Sequence, residues 1–278
     1  MNQSFMLDDH EDLEIPESAE ELSEEQALQL MEQFTQELGE QAESYAHAAS
    51  LKKNIFFIEY ACDEASQLSK FAERKGWEYL RLTRNTYDLR TRTARDQVLA
   101  MVRQKRREGF LVIIFGAIPC TPWTRWTDMN LHQYGEPYRK RLIEQRVENL
   151  LTVRHFHEIC ILIKEDPESI IAFEWPAYCR GWENPTVQKM ISDLELLPVR
   201  FDGCQVGVES VDGVPILKPW KIMTDCPKLI SALEGKICPR NHVHQECSGK
   251  HTERTGFYPP KMAKIILRAF EDACTNSG

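Results

Sequence analysis

Residues 110–124 read FLVIIFGAIPCTPWT. The first nine form a continuous apolar run, half of the roughly 18 residues that a membrane span needs. That is the length of a strand buried on both faces. A cysteine between two prolines follows at once. Pro119 fixes the backbone, so Cys120 is expected to project its thiol from the end of a central strand. A core cysteine needs no such setting and a nucleophile suits it, with a buried structural thiol as the alternative.

Working outward, NIFFIEY (54–60) and WEYLRLT (77–83) read as strands. EASQLSKFAERKG (64–76) and TARDQVLAMVRQKRREG (93–109) read as helices closed by Gly76 and Gly109. Downstream, residues 137–165 form a long helix with Pro137 in its first turn. SIIAFEWP (169–176) is a second buried strand, 184–196 a helix, and 198–210 and 214–224 strands joined by a glycine-containing turn. The segment 254–270 closes the chain with a helix. The alternation predicts an α/β fold: an open, mostly parallel sheet with helices on both faces, a terminal antiparallel strand pair, and a small Cys/His-rich C-terminal insertion. Ligands in such sheets bind beyond the carboxyl ends of the strands. Those ends carry Glu59 to Asp63, Arg84 to Asp88, Pro119-Cys120 and Glu174-Trp175-Pro176, all on one rim.

The chain has 278 residues, 42% hydrophobic and 28% charged, as a soluble globular protein does. No apolar run reaches membrane length, and the first 14 residues have neither the basic region nor the apolar core of a signal peptide. Nine cysteines without a paired framework suit a reducing compartment. An intracellular protein, nuclear or cytoplasmic, neither secreted nor bound to a membrane, is expected. The net charge of −9 is unevenly spread. Of 43 acidic residues, 14 fall in residues 1–50, which hold no Lys or Arg; the other 29 face 34 bases, a net of +5. The chain thus divides into an acidic arm (1–50) and a mildly basic body (51–278). Within the arm, 1–20 reads as disordered. Leu22, Leu28, Leu30, Met31, Phe34 and Leu38 give 22–49 a helical pattern. A basic body suits nucleic acid. The arm then either masks a basic groove or docks through Leu28, Met31 and Phe34 on the core or on a protein partner.

A thiol on the sheet rim and a carboxyl on the rim of another strand suit covalent catalysis on an electron-poor ring such as cytosine. Sulfur adds to carbon 6, the acid protonates ring nitrogen 3, and carbon 5 becomes nucleophilic. PCTPWT (119–124) resembles the Pro-Cys-Gln loop of DNA (cytosine-5) methyltransferases, and FEWP (173–176) is similar in place to their Glu-Asn-Val motif. Phe57 stands 63 residues before Cys120, near the spacing of that family's first motif. The resemblance covers roughly residues 54–176. It implies a class I methyltransferase-like fold that uses S-adenosylmethionine, with Cys120 as nucleophile and Glu174 as acid. It further implies a cofactor site at Phe57, Glu59, Ala61, Cys62, Asp63, Asn85, Asp88 and Pro119, completed by the segment around 254–270. DNA is the expected substrate, contacted by Arg125, Trp123 and Trp126; the same residue types serve RNA as well. The alternative is a methyltransferase-like module without catalysis that binds nucleic acid or a protein, which the glycine-free turn EYACDEAS (59–66) favours.

Residues 238–251 read CPRNHVHQECSGKH. Cys238, His242, His244 and Cys247 are four zinc-capable ligands within ten residues, in a segment bounded by Cys226 and His251. The spacing is no standard finger. Cys226 or His251 substitutes for a member in a variant of this reading, and a hydrogen-bonded polar loop is the alternative.

Overall fold

A computed structural model describes residues 53–249, 252 and 255–275, with scattered positions between 29 and 39. Those scattered positions are helical and fall in a unit of their own, Met1–Lys52. The expected disorder of 1–20 and most of the 22–49 helix lie outside the described residues. The body is a second unit, Lys53–Gly278.

Six strands form the body's sheet: β1 (Ile55–Cys62), β2 (Glu78–Thr83), β3 (Leu111–Gly116), β4 (Ile170–Pro176), β5 (Leu197–Asp202) and β6 (Pro219–Thr224). Their order is β2-β1-β3-β4-β6-β5. β1 pairs in parallel with β2 and β3, and β3 with β4. β6 runs antiparallel to both β4 and β5. The apolar run of β3 is central, and all six of its residues are buried.

Strand periodicity divides the core into two layers. Ile55 and Phe57 of β1, and Ile113 and Phe115 of β3, face one layer with Leu68, Leu229, Met262, Ile266 and Phe270. Phe56, Ile58, Val112 and Ile114 face the other with Val98, Val102, Phe156, Ile159, Val187 and Met190. The helices accordingly cover both faces. On the first lie α1 (Gln67–Arg74), α5 (Pro227–Leu233) and α6 (Pro260–Thr275); on the second, α2 (Arg92–Arg107), α3 (Trp126–Lys164) and α4 (Pro185–Asp193). Side-chain caps start three of them: Ser66 accepts from Leu68, Thr91 from Ala94 and Asn184 from Thr186. Such caps each stabilise by about 1 kcal/mol.

Three expectations change. The terminal strands pair antiparallel at the sheet's edge, as expected, but they are shorter than the sequence suggests and no tight turn joins them. Gly203–Val206 turns into a 3-10 helix with Gly207 left-handed at φ 90°, so the chain makes an excursion before β6 inserts between β4 and β5. The helix expected from 137 is preceded by a helical stretch from Trp126. Gly135 (φ 58°, ψ −144°) breaks the two apart, and Pro137 opens the longer one. Finally, α5 was not anticipated, although Pro227 at its first turn is a start signal.

Candidate active site

Cys120 sits just beyond β3, at the N-terminal edge of a 3-10 turn, Thr121–Trp123. Its loop is held from two sides. The Trp175 indole on β4 donates to the Ile118 carbonyl at 2.5 Å. On α3, Asn149 donates to the Pro119 carbonyl (2.8 Å) and accepts from the Trp123 indole (2.7 Å). Arg146 donates to the Pro122 carbonyl (3.1 Å) and lies over the Trp123 ring. Gly181 closes the packing from below. A Cβ there would lie 2.4 Å from the Trp175 ring and 3.1 Å from Trp123. No other residue fits without displacing an indole that anchors the loop.

Glu174 is buried on β4, with 7% of its surface exposed. Its Oε2 accepts from the Tyr258 hydroxyl at 2.5 Å, and its Oε1 has no hydrogen-bond partner among the described residues. An unpaired buried acceptor costs about 1–3 kcal/mol. Burial raises the Glu174 pKa against the opposing Lys218 charge and the Tyr258 hydrogen bond. Burial also pushes the Cys120 thiol up to about 11; the Glu174 charge adds to the rise and Lys218 opposes it. Tyr258 is raised by burial and then by the Glu174 charge. Thiol, carboxyl, phenol and ammonium therefore form one electrostatic group in which the uncharged carboxyl and thiol are favoured. Lys218 is fixed by donating to the Thr255 carbonyl at 2.6 Å.

Beside this group, a cleft of about 310 Å³ opens at the carboxyl ends of β1 and β3. That size is at the low end of the roughly 300–1,000 Å³ of small-molecule sites. The position is the sheet's switch point, where the chain leaves β1 for β2 on one side and returns to β3 on the other. Glu59, Ala61, Cys62, Asp63, Lys70 and Ala117 line it, closed by Gly256 to Tyr258. Ala61 has φ 61°, at a bulge where β1 shifts register against β2. A left-handed backbone costs an L-residue roughly 1–2 kcal/mol, so this glycine-free turn adopts a glycine-like conformation. The buried Glu59 carboxylate pins the turn to the start of α1. It accepts from the Ser66 and Ser69 hydroxyls and from the Ser69 N–H.

Cys120 and Glu174 do not line the cleft themselves; Tyr258 spans the two regions. Other expected residues lie elsewhere. Phe57 is core, tilted against Trp77 and Phe270. Asn85 donates to Glu64 and Asp88 is engaged by Arg90, and neither lines the cleft. Pro119 also stands outside it, holding the loop through its carbonyl. Trp123 is a buried, hydrogen-bonded anchor rather than a free stacking platform. Arg125 and Trp126 are exposed. Tyr178, 56% exposed, has the guanidinium carbons of Arg125 and Arg200 at 5.8 and 5.0 Å from its ring centroid.

A second cluster gathers after β5. Cys204, Cys238, His242 and His244 bring their ligand atoms within 4.8 Å of one another. Cys247, expected as the fourth member, instead places its sulfur 3.4 Å from the Thr255 hydroxyl. Cys226 is a core residue and His251 lies outside the described residues. Cys204 falls in a stretch that reads as a strand, so nothing in the sequence brings it to this cluster. Asn149 and Arg146 were likewise hidden within a long amphipathic pattern. No family model, curated protein or solved structure matches the chain.

Proposed function

We propose that the body is a cytosine-5 methyltransferase-like enzyme acting on a nucleic acid, DNA in the first instance, through a covalent Cys120 adduct. The observation that carries this reading is the Glu174 carboxyl: buried, with a raised pKa, one oxygen held by Tyr258 and the other without a partner among the described residues, in the same electrostatic group as Cys120. A protonated acid with a free oxygen suits donation to a ring nitrogen. The resemblance of PCTPWT and FEWP to the family's motifs supplies the substrate.

In this reading the Cys120 thiol releases its proton to solvent water as its sulfur bonds to carbon 6 of cytosine. Glu174 delivers a proton to nitrogen 3, so the electron pair of the ring's double bond is available at carbon 5. Once carbon 5 carries a methyl group, its proton passes to water, the electron pair of that C–H bond re-forms the carbon 5–carbon 6 double bond as the sulfur departs, and Glu174 recovers its proton from nitrogen 3. Lys218 opposes the burial penalty on the thiolate. Tyr258 orients the carboxyl. Asn149, Arg146 and Trp175 are positioning residues that fix the loop. The exposed pair Arg125 and Tyr178, with Trp126, suits phosphate and base contacts at the rim.

The cleft fits the amino-acid end of S-adenosylmethionine: Lys70 offers a cation to a carboxylate, Asp63 an anion to an ammonium, and the turn at Ala61 brings backbone close. When bound, the cofactor supplies an electrophilic methyl group. Asn85 and Asp88 are paired elsewhere, so a ribose contact at the end of β2 is not part of this reading. The engagement of those two residues favours the non-catalytic module instead. Calorimetric titration with S-adenosylmethionine separates the two. Saturable binding that Lys70→Ala weakens supports the enzyme; no heat at millimolar cofactor with a folded protein rejects it.

A further inference from the structure

We infer that Cys204, Cys238, His242 and His244 form a structural zinc site that clips the loop after α5 onto the turn after β5. The four ligand atoms lie within 4.8 Å of one another, a spacing that a four-coordinate ion spans. Zn–S bonds of about 2.3 Å and Zn–N bonds of about 2.0–2.1 Å imply S···N edges of about 3.5 Å. The Cys238 sulfur lies 3.4 Å from His244 Nε2 and 3.8 Å from His242 Nε2. The two imidazole rings stand 4.4 Å apart and tilted, both presenting Nε2 to the same point.

The surroundings favour metal ligation over a hydrogen-bonded loop. The Arg240 N–H donates to the Cys238 sulfur at 3.3 Å, with Arg240 in the left-handed region at φ 60°. That strained turn aims a backbone donor at the sulfur, an outer-shell hydrogen bond of the kind that orients a metal ligand. The other ring nitrogen of His242, Nδ1, lies 3.1 Å from Asn241 Oδ1. A histidine that donates from one nitrogen to an oxygen presents the other as a lone pair, the usual arrangement around a metal. Two thiolates and two neutral imidazoles complete four coordination, which leaves no open position for catalysis and makes the site structural. The backbone brings the partners together beforehand. Asp202 N–H donates to the Lys236 carbonyl, and Cys238 N–H donates to Asp202 Oδ2, both at 2.9 Å. Neighbouring segments meet again where Gln245 N–H donates to the Pro215 carbonyl. The clip therefore fixes the start of a segment that runs on to Thr255, which holds Lys218, and to Tyr258, which holds Glu174.

The test uses the full chain, untagged, purified from zinc-supplemented cells and dialysed against metal-free buffer. Elemental analysis should find about one zinc per chain. Cys204→Ser and Cys238→Ser should lose nearly all of it, and Cys247→Ser should keep it. X-ray absorption at the zinc edge of the wild type provides a reading independent of whether the first two variants fold. Two sulfurs at about 2.3 Å and two nitrogens at about 2.0–2.1 Å are expected. Chelation should lower the melting temperature reversibly. A folded wild type with no zinc overturns the inference, as does a shell of other composition. So does zinc retained in Cys204→Ser but lost in Cys247→Ser.

Discussion

Glu174→Gln separates stability from chemistry. The wild-type carboxyl is buried and half unpaired, and burial outweighs both Lys218 and the Tyr258 hydrogen bond in raising its pKa above 4.5. The folded chain therefore holds this proton more tightly than the unfolded chain. The stabilisation is full below the unfolded pKa and is lost as pH rises through the folded one. Each unit of elevation is worth about 1.4 kcal/mol, or roughly 3–6 °C of melting temperature for a body of this size. Glutamine keeps the shape, accepts from Tyr258 and carries no charge. Its amide donors add an offset that does not vary with pH, so the readout is the slope. Thermal melts of both proteins from about pH 5 to about pH 9 should show the variant gaining on the wild type as pH rises, with methyl transfer abolished. A difference that stays constant with pH, or that turns against the variant as pH rises, refutes a carboxyl held toward neutrality by burial.

Three other perturbations probe the site's frame. Asn149→Ala removes the partners of the Trp123 indole and the Pro119 carbonyl. It should lower stability by about 2–4 kcal/mol in urea unfolding; an unchanged midpoint contradicts the pinned loop. Ala61→Gly relieves roughly 1–2 kcal/mol of backbone strain against about 0.5–1 kcal/mol of added chain entropy. A small rise in melting temperature is expected, and a fall contradicts the left-handed turn. Iodoacetamide labelling of Cys120, followed by peptide mass spectrometry, should rise about tenfold per pH unit and level off only near 11. A plateau below about pH 8 contradicts the raised thiol.

The sheet and its rim were legible because strand and helix periods are local. FLVIIFGAI reads as a central strand from composition alone, and the rim positions follow from where each run ends. What the sequence hid was pairing at a distance. Nothing in PVRFDGCQVGVES announces that the chain turns at Gly203, delivering Cys204 to residues more than 30 positions later. Trp123 looks like an exposed loop aromatic until Asn149, 26 residues away, is seen to bind it. Glu174 was legible as a candidate acid, but its state depends on Tyr258, 84 residues on. The glycine-free first turn favours the non-catalytic module on sequence alone, yet the backbone at Ala61 takes the left-handed conformation that glycine usually supplies.

The most direct measurement is a covalent trap. Protein is incubated with S-adenosylmethionine and duplex DNA carrying 5-fluorocytosine, which has no proton at carbon 5 to lose and so arrests the sequence before the sulfur departs. Intact and peptide mass spectrometry then locate the adduct. The expected result is a DNA-linked, methylated adduct on the peptide containing Cys120, lost in Cys120→Ser and dependent on cofactor. Absence of any adduct with a protein that binds both cofactor and DNA, or an adduct on another cysteine, contradicts Cys120 as the nucleophile.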